Sequence, residues 1–383
     1  MTTIYLIRHA EAEGNLYRRI HGWYDSLVTD NGFAQIKALE ERFRDIPVNA
    51  VYSSDLYRTM ATARAVYLPK GLELHTDPDL REINLGDWED HPWGEVRHFD
   101  PESMNAFNRS DPAWRAPNGE SLAEAGARLE GALRRIACAH PGQTVAVFSH
   151  GTAIRQALAN IKGLAPNQWS TMPHSENTAV TCLVWDGEAF SLCFEMDASH
   201  IDESISTLGK QAWWRKDPKA APDMNLWFRP MDWETEHHLY LEARRDAWTG
   251  VHGKEPFYAD GFLTAARENL SQSPWGLAAA MAGERIVGMV QLDFRRFRED
   301  GSGYIPFVYV YPEYQNRNLG VQLIGHAVSV FRPLGRDKLR LRCSPDNLHA
   351  QHIYAKHGFI KIGEEQGSRV PLDILEKYIG YER

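Results

Sequence analysis

Two short apolar runs, each followed at once by polar and charged residues, constrain the fold of this chain more than any other feature. The runs and the residues that follow them are Ile4–Ile7 with Arg8-His9 and Val145–Phe148 with Ser149-His150-Gly151. A short apolar run is typical of a buried strand, and α/β folds place their ligands at the carboxyl ends of strands. Two histidines and an arginine at such positions predict an imidazole nucleophile in a phosphate pocket.

Strand and helix patterns alternate through residues 1–198. Helices are predicted after Thr29, a candidate cap, and after Ser121, which is spaced to form a capping box with Glu124. A final strand or hairpin is predicted over 180–194. This alternation predicts an α/β fold in which a mainly parallel sheet carries helices on both faces.

A second domain is expected because 383 residues exceed a single typical core. From residue 224 onward, antiparallel strands at the start and helices between the later strands predict a mixed α/β domain. The polar, proline-bearing stretch Asp217–Pro222 is typical of a linker. We therefore expect domains at 1–200 and 223–383, joined by a linker at 201–222.

Composition narrows the possible partners and the compartment. The net charge of −9 disfavours nucleic-acid binding, which needs a basic face. No signal-peptide pattern and no apolar stretch of membrane-spanning length is apparent. The four cysteines show no metal-ligand spacing with histidine. These features predict a cytoplasmic protein without nucleic-acid or membrane partners, and they do not indicate its oligomeric state.

The residues at the first strand end suit phosphoryl transfer. A neutral imidazole can attack phosphorus, so His9 is the candidate nucleophile. The phosphoryl oxygens need fixed cations and donors, and the candidates are Arg8, Arg58, His150 and, as a neutral donor, Asn15. The leaving alkoxide needs a proton, for which Glu82 is the candidate acid.

These residues belong to a set of motifs that covers nearly the whole first half. The motifs are Arg8-His9-Ala10-Glu11, Asn15, Gly22-Trp23-Tyr24-Asp25, Ser53-Ser54-Asp55 with Arg58-Thr59, Glu82 with Gly86 and Trp88-Glu89, and Ser149-His150-Gly151. In order and spacing this half resembles the histidine phosphatase superfamily, the phosphoglycerate mutase-like proteins, which implies a three-layer α/β/α fold. The resemblance implies that His9 is the phosphorylated nucleophile and Glu82 the proton donor. It also implies a phosphate pocket of Arg8, Arg58 and His150, and a reaction that needs no metal.

Two activities are open for the first half. Gly22–Asp25 resembles the mutase branch, whereas the segment around Glu82 resembles the phosphatase branch, and Ala10 stands where the family usually has glycine. We expect a phosphoric monoester hydrolase of the histidine acid phosphatase type. Phosphoglycerate mutase-type phosphotransfer is the alternative, and a phosphoprotein phosphatase is a further one.

The second half carries its own motifs after the strand predicted over Ile305–Val310. The loop that follows opens a helix, whose first N–H groups can bind phosphate oxygens. From about residue 224 to 375 the chain resembles the GNAT superfamily of N-acetyltransferases. The family's acetyl-CoA signature, Gln/Arg-x-x-Gly-x-Gly/Ala, appears as Gln315–Gly320 with Asn318 in place of the first glycine. Asparagine tolerates a positive φ better than most residues, so the loop conformation is expected to persist.

A further match is Asn347-x-x-Ala350-x-x-x-Tyr354, in which the resemblance implies that Tyr354 protonates the departing CoA thiolate. The residues expected to bind acetyl-CoA are Val308, Val310, Gln315, Asn316, Arg317, Asn318, Leu319, Gly320, Val321, Asn347 and Tyr354. The whole chain is thus expected to be bifunctional, with small phosphomonoesters, small amines and acetyl-CoA as substrates. A phosphatase regulated by a non-catalytic acyl-CoA-binding domain is the alternative that Asn318 favours.

Overall fold

The computed structural model describes residues 1–211, 224–367 and 370–381. These residues separate into two compact units, one built mainly from 1–211 and the other mainly from 224–381. Within the described ranges, no helix combines the length and the apolar character needed to span a bilayer.

The first unit is built on a six-stranded sheet. Its strands are β1 (Thr2–Arg8), β2 (Ala50–Ser53), β3 (Leu74–Thr76), β4 (Thr144–Ser149), β5 (Val180–Trp185) and β6 (Phe190–Asp197). Their order is β3-β2-β4-β1-β5-β6. The first four of these run parallel, whereas β5 and β6 form an antiparallel hairpin beside β1. The prediction of an α/β fold with a mainly parallel sheet is confirmed.

Helices cover the sheet of the first unit. They are α1 (Glu13–Tyr17), α2 (Asp30–Phe43), α3 (Tyr57–Lys70), α4 (Trp93–Phe99), α5 (Pro101–Asn108), α6 (Leu122–Ala139) and α7 (Gly151–Ile161). Alternate strand residues such as Ile7 and Phe148 pack with α2 and α3 in one apolar core. Helices α6 and α7 pack against each other and on β1. The predicted caps are also confirmed, because Thr29 accepts from the Gly32 N–H and Ser121 forms a capping box with Glu124.

Residues 201–211, predicted as the start of the linker, pack on the first unit. The Thr207 hydroxyl donates to Glu11 at 2.7 Å, and the Ser206 hydroxyl donates to Glu176 at 2.5 Å. The side-chain amide of Gln35 donates to the carbonyl of Ile205 at 2.8 Å. The first unit therefore continues past residue 200, and the remainder of the predicted linker, 212–222, lies outside the described residues.

The second unit is built on a seven-stranded sheet. Its strands are β7 (Trp227–Pro230), β8 (Leu277–Ala282), β9 (Arg285–Asp293), β10 (Ser302–Val310), β11 (Lys338–Cys343), β12 (Ile360–Gln366) and β13 (Pro371–Tyr378), in the order β12-β13-β11-β10-β9-β8-β7. Its helices are α8 (Trp233–His252), α9 (Ala259–Gln272), α10 (Gly320–Phe331) and α11 (Leu348–Lys356). Only the pair β10–β11 is parallel among the pairings of these strands. The expected mixed α/β domain is confirmed.

Candidate active sites

The two strand-end histidines of the first unit lie side by side. Strands β1 and β4 are parallel neighbours, and their register pairs Arg8 with Ser149. The next residue of each strand is therefore a histidine at the same edge of the sheet. The ring centroids of His9 and His150 are 5.2 Å apart, with 55° between the ring planes. Both side chains are buried, at 6 % and 0 % exposure.

Hydrogen bonding decides which nitrogen of His9 carries its proton. Nδ1 lies 2.7 Å from the carbonyl oxygen of Ala10. A carbonyl oxygen can only accept, so Nδ1 is the donor and Nε2 keeps its lone pair. Burial lowers the pKa of His9 well below its usual value, and the nearby positive charges of Arg58 and Arg8 lower it further. His9 is therefore a neutral imidazole with an available Nε2.

Arg8 points its guanidinium along the start of α7. Its Nη1 donates to the carbonyl of Ser175, while its Nε is buried without a hydrogen-bond partner among the described residues. A Cβ at Gly151 would lie 3.1 Å from this Nε and 3.3 Å from Cζ. The glycine after His150 therefore leaves room for the Arg8 side chain, which explains one position of the Ser149-His150-Gly151 motif.

Arg58 is held by backbone carbonyls. Its Nη1 donates to Tyr24 at 3.0 Å, and its Nη2 donates to Gly22 at 2.6 Å and to His21 at 3.3 Å. The side chain is 1 % exposed, and this burial is the main cause that lowers its pKa. Carbonyl dipoles orient the guanidinium without cancelling its charge, so it remains able to bind an anion.

Glu89 fixes the loop that supplies those carbonyls. Its Oε1 accepts from the N–H groups of Trp23 at 2.7 Å and Leu85 at 3.0 Å. Its Oε2 accepts from Gly22 at 3.0 Å and Tyr24 at 2.8 Å. A Cβ at Gly22 would collide with Oε1. No role was assigned to Glu89 in the sequence analysis, because three of its four donors lie 65 to 67 residues away in sequence.

Glu82 lies over the first turn of α7. Its Oε1 accepts from the N–H groups of Ala153 at 2.7 Å and Ile83 at 3.0 Å, and its Oε2 accepts from Thr152 at 3.0 Å. Helix N-termini stabilise carboxylates because their first N–H groups have no intrahelical partner. Since α7 begins directly after His150, the structure places Glu82 at the same end of the sheet as the histidines.

The two remaining phosphate-binding candidates differ. Nε2 of His150 lies 2.9 Å from the Ser54 hydroxyl, and its Nδ1 is buried without a partner in the described part of the chain. Burial and then the charge of Arg58 lower the pKa of His150 well below its usual value. Asn15, by contrast, uses its Oδ1 to accept from the Ala12 N–H at 3.1 Å. That bond closes the first turn of α1, so the structure gives Asn15 a local capping role.

The centre of the second unit is a fork between two strands. Strand β10 pairs with β11 only from Ser302 to Ile305, whereas it pairs with β9 as far as Val310. The candidates Val308 and Val310 therefore lie on the part of β10 beyond its last pair with β11. The side-chain amide of Gln315 donates to the Val310 carbonyl at 2.9 Å, which ties the loop to the end of the strand.

The candidate loop for acetyl-CoA has the expected backbone. Asn318 has a φ of 55° and Asn316 a φ of 59°. The prediction that Asn318 adopts a positive φ in place of glycine is confirmed. Helix α10 begins at Gly320, and a Cβ there would have no neighbour within 4 Å among the described residues. The side chain of Arg317 lies over the Tyr314 ring at 5.8 Å. The first turn of α10 therefore leaves free space beside Gly320, between Leu319 and Val321.

The Asn347–Tyr354 motif divides into a helix cap and a half-buried phenol. Asn347 caps α11, because its side chain accepts from the Ala350 N–H at 3.1 Å. Tyr354, two turns further on, packs on Phe359 with ring centroids 5.5 Å apart. Burial raises the pKa of Tyr354, and the neighbouring Cys343 raises it further. The phenol therefore keeps its proton at neutral pH.

Comparison with known proteins identifies a family for each half of the chain. A model of the histidine phosphatase superfamily (branch 1) matches residues 4–195, and a model of the acetyltransferase (GNAT) family matches residues 233–359. The chain therefore belongs to the histidine phosphatase superfamily and carries a GNAT domain after it.

Two relatives illustrate what this chain is similar to. "Probable phosphoglycerate mutase GpmB" of Yersinia pestis (strain Pestoides F) is 34 % identical over 164 residues, which cover 43 % of this chain and 76 % of that protein. The solved structure of Bacillus stearothermophilus YhfR is 32 % identical with a TM-score of 0.51, and it covers 53 % of this chain and 100 % of YhfR. Each likeness covers about half of this chain.

Proposed function

We propose that the first unit hydrolyses phosphomonoesters through a phosphohistidine at His9. The observation that carries this proposal is the bond from Nδ1 of His9 to the Ala10 carbonyl at 2.7 Å. It leaves Nε2 as a buried, neutral nucleophile beside two guanidinium groups. Among the described residues, the buried nitrogens Arg8 Nε and His150 Nδ1 have no partner, and the oxygens of a bound phosphate would supply one to each.

The chemistry proceeds in two steps. In the first, Nε2 of His9 forms a bond to phosphorus while the bond from phosphorus to the ester oxygen breaks. The alkoxide takes a proton from Glu82, and Arg8, Arg58 and His150 bind the phosphoryl oxygens. In the second step, water attacks phosphorus, the bond to Nε2 breaks, and Glu82 accepts the proton from water.

The hydrogen bonds of Glu82 are compatible with this use. Its Oε1 already accepts two N–H groups, whereas its Oε2 accepts only that of Thr152 at 3.0 Å. A carboxyl oxygen has two lone-pair positions. Oε2 therefore retains one position for the proton that the leaving group requires, without losing its bond to α7.

Phosphoglycerate mutase-type phosphotransfer is the second candidate for this site. It is supported by the name of the Yersinia pestis relative and by the Gly22–Asp25 segment, whose carbonyls hold Arg58. The two activities share the first step and differ in the acceptor of the phosphoryl group. Hydrolysis predicts free phosphate from a phosphorylated sugar acid, whereas a mutase converts that compound into its isomer.

A panel of small phosphomonoesters tests the first proposal. We would compare the wild type with His9→Ala and with His75→Ala, since His75 is an exposed histidine on the edge strand β3. The expected result is loss of phosphate release in His9→Ala alone, together with a phosphohistidine that forms in the wild type. Wild-type turnover by His9→Ala would refute the mechanism. Activity that is lost with a chelator and restored by a divalent ion would contradict a metal-independent reaction.

We also propose that the second unit is an acetyl-CoA-dependent N-acetyltransferase. When bound, acetyl-CoA supplies an activated acetyl group to an amine. The residues proposed to hold it are Val308, Val310, Gln315, Asn316, Arg317, Asn318, Leu319, Gly320, Val321, Asn347 and Tyr354. The left-handed conformations of Asn316 and Asn318 and the open space at Gly320 support binding at the first turn of α10. Tyr354 holds a proton at its hydroxyl, which suits it to protonate a leaving thiolate.

Acetyl transfer to a panel of amines tests the second proposal, and the free thiol that is released serves to monitor the reaction. Tyr354→Phe is expected to lower acetyl transfer and to leave phosphate release unchanged. Acetyl-CoA that alters the rate of phosphate release, with no acetylated product from any amine, would instead indicate a regulatory acyl-CoA-binding domain.

A further inference from the structure

Arg244, on helix α8 of the second unit, has only uncharged hydrogen-bond partners and aromatic rings in contact with its guanidinium. It lies over three aromatic rings, with its Cζ 3.9 Å from the ring centroid of Phe307, 4.9 Å from that of Phe262 and 5.4 Å from that of Tyr240. Its Nε donates to the Tyr240 hydroxyl at 2.9 Å, and its Nη2 donates to Oε1 of Gln291 at 2.5 Å. No carboxylate within the described ranges forms an ion pair with it.

This cluster has more hydrogen-bond donors than acceptors. Oε1 of Gln291 accepts from Arg244 and also from the Tyr240 hydroxyl at 2.9 Å. That arrangement fixes the amide so that its Nε2 is a donor, and this buried atom has no acceptor in the described part of the chain. Gln291 itself is 0 % exposed. A guanidinium has five N–H donors, so two protein acceptors leave much of its capacity unused.

The charge of Arg244 is also poorly compensated. Burial is the first cause that lowers its pKa, and the charge of Arg342 lowers it further, while only the hydroxyls of Tyr240 and Tyr304 oppose this. A desolvated cation with neutral partners is costly unless an anion joins it. Arg244 is nevertheless partly exposed, so a ligand from solvent can reach the guanidinium.

The position of Arg244 relates it to the fork between β10 and β11. Phe307, whose ring it covers, pairs with Gln291 across β9 and lies beyond Ile305, the last residue of β10 that pairs with β11. Arg244 therefore flanks the same stretch of β10 that carries Val308 and Val310.

We infer that Arg244 binds an anionic group, a carboxylate or a phosphate, on the amine that the second unit acetylates. This inference rests on the proposed acetyltransferase function. Both anions accept two parallel N–H bonds from one guanidinium, and the aromatic rings of Phe307 and Phe262 would exclude water from the pair. The second unit would thus select acceptors that carry a negative charge in addition to the amine.

Matched pairs of acceptors test the selectivity. One arm compares amino acids with their carboxamides, and the other compares phosphoethanolamine with ethanolamine. The full chain with His9→Ala is used as the reference protein, so that the first unit does not hydrolyse the phosphorylated amine. The arm in which the charged member is preferred identifies the anion. Equal kcat/KM for both members of every pair would overturn the inference.

Two substitutions of Arg244 separate recognition from folding. Arg244→Gln is expected to lower kcat/KM for the anionic acceptor by about 10- to 100-fold, the usual effect of losing a charge-assisted hydrogen bond, and to change the neutral one little. Arg244→Lys should recover part of the preference. Arg245→Gln, at the exposed neighbouring position of α8, is the matched control. If Arg244→Gln lowers kcat/KM equally for the anionic and the neutral acceptor, the role of Arg244 is structural and the inference fails.

A residue-level measurement distinguishes failure of this inference from failure of the acetyltransferase proposal. If no amine is acetylated, the transferase proposal is wrong, and anion binding is read from modification of Arg244 by phenylglyoxal, located by mass spectrometry. Millimolar inorganic phosphate or succinate should slow modification of Arg244 and not of Arg245. Equal modification rates with and without these anions would overturn the binding site itself.

Discussion

The loop that holds Arg58 depends on one carboxylate, which makes Glu89→Gln an informative substitution. The four backbone N–H groups that donate to Glu89 are those of Gly22, Trp23, Tyr24 and Leu85, two to each oxygen. Glutamine keeps one oxygen and places an amide NH₂ where the other oxygen was. Two N–H groups then face a donor instead of an acceptor.

The expected cost follows from those two lost bonds. A hydrogen bond to a charged group contributes about 1.5–3 kcal/mol. Because Glu89 is partly exposed, water can reach the freed N–H groups, so we expect the lower end, about 3 kcal/mol for the pair. That is a large part of the stability of a typical domain, about 5–15 kcal/mol. The carbonyls of Gly22 and Tyr24 would also move away from Arg58, weakening phosphate binding.

Calorimetry of the full chain measures this effect. The unfolding transition whose midpoint temperature rises when inorganic phosphate is added is assigned to the first unit. For a unit of this size a loss of about 3 kcal/mol lowers the midpoint by roughly 6–12 °C. We also expect kcat/KM for phosphate release to fall by about tenfold or more. Glu40→Gln, on the exposed face of α2, is the control. A Glu89→Gln midpoint equal to that of the control would refute the reasoning.

Three further predictions concern the two sites. Gly151→Ala should weaken phosphate binding by displacing the guanidinium of Arg8, measured as a raised KM, and an unchanged KM would contradict the packing argument. Asn318→Gly should retain affinity for acetyl-CoA, whereas Asn318→Val, a β-branched residue at positive φ, should weaken it by about tenfold; titration of the two variants compares them directly. The first unit should lose stability as the pH falls below about 6.5, because the lowered pKa values of His9 and His150 mean that the unfolded chain binds protons there while the folded one does not. Denaturant midpoints that are level from pH 7 to pH 5 would count against this.

Residues next to one another in sequence were the ones that could be predicted. The strands ending at Arg8 and Ser149, the caps at Thr29 and Ser121 and the positive φ of Asn318 all depend on local pattern or local backbone preference. Their physical causes act within a few residues, so the sequence itself contains them. The proximity of His9 and His150 was predicted because the carboxyl ends of parallel strands lie at the same edge of a sheet. Their separation in sequence gives no such indication.

Contacts made by loops were not predictable in the same way. Helix α3 was missed because its buried face is built from small residues such as Ala61 and Ala65, which give a weak apolar pattern. The bonds of Glu89 to the Gly22–Tyr24 loop and of Ser54 to His150 depend on the path of irregular segments. The capping role of Asn347 could be predicted, since asparagine is a common N-cap. In the sequence analysis this residue was related only to the cofactor.

The segment around Thr207 has a practical consequence for anyone who wishes to prepare the first unit separately. Glu11 and Glu176 are buried carboxylates, and Thr207 donates to both, through its hydroxyl and its backbone N–H. A chain cut at residue 200 would remove these donors from both carboxylates. Glu11 is two residues from His9, and Glu176 is next to Asn177, whose side chain donates to the His9 carbonyl. A shortened protein should therefore retain at least Leu208, whose N–H also donates to Glu176, so that the contacts around His9 are kept.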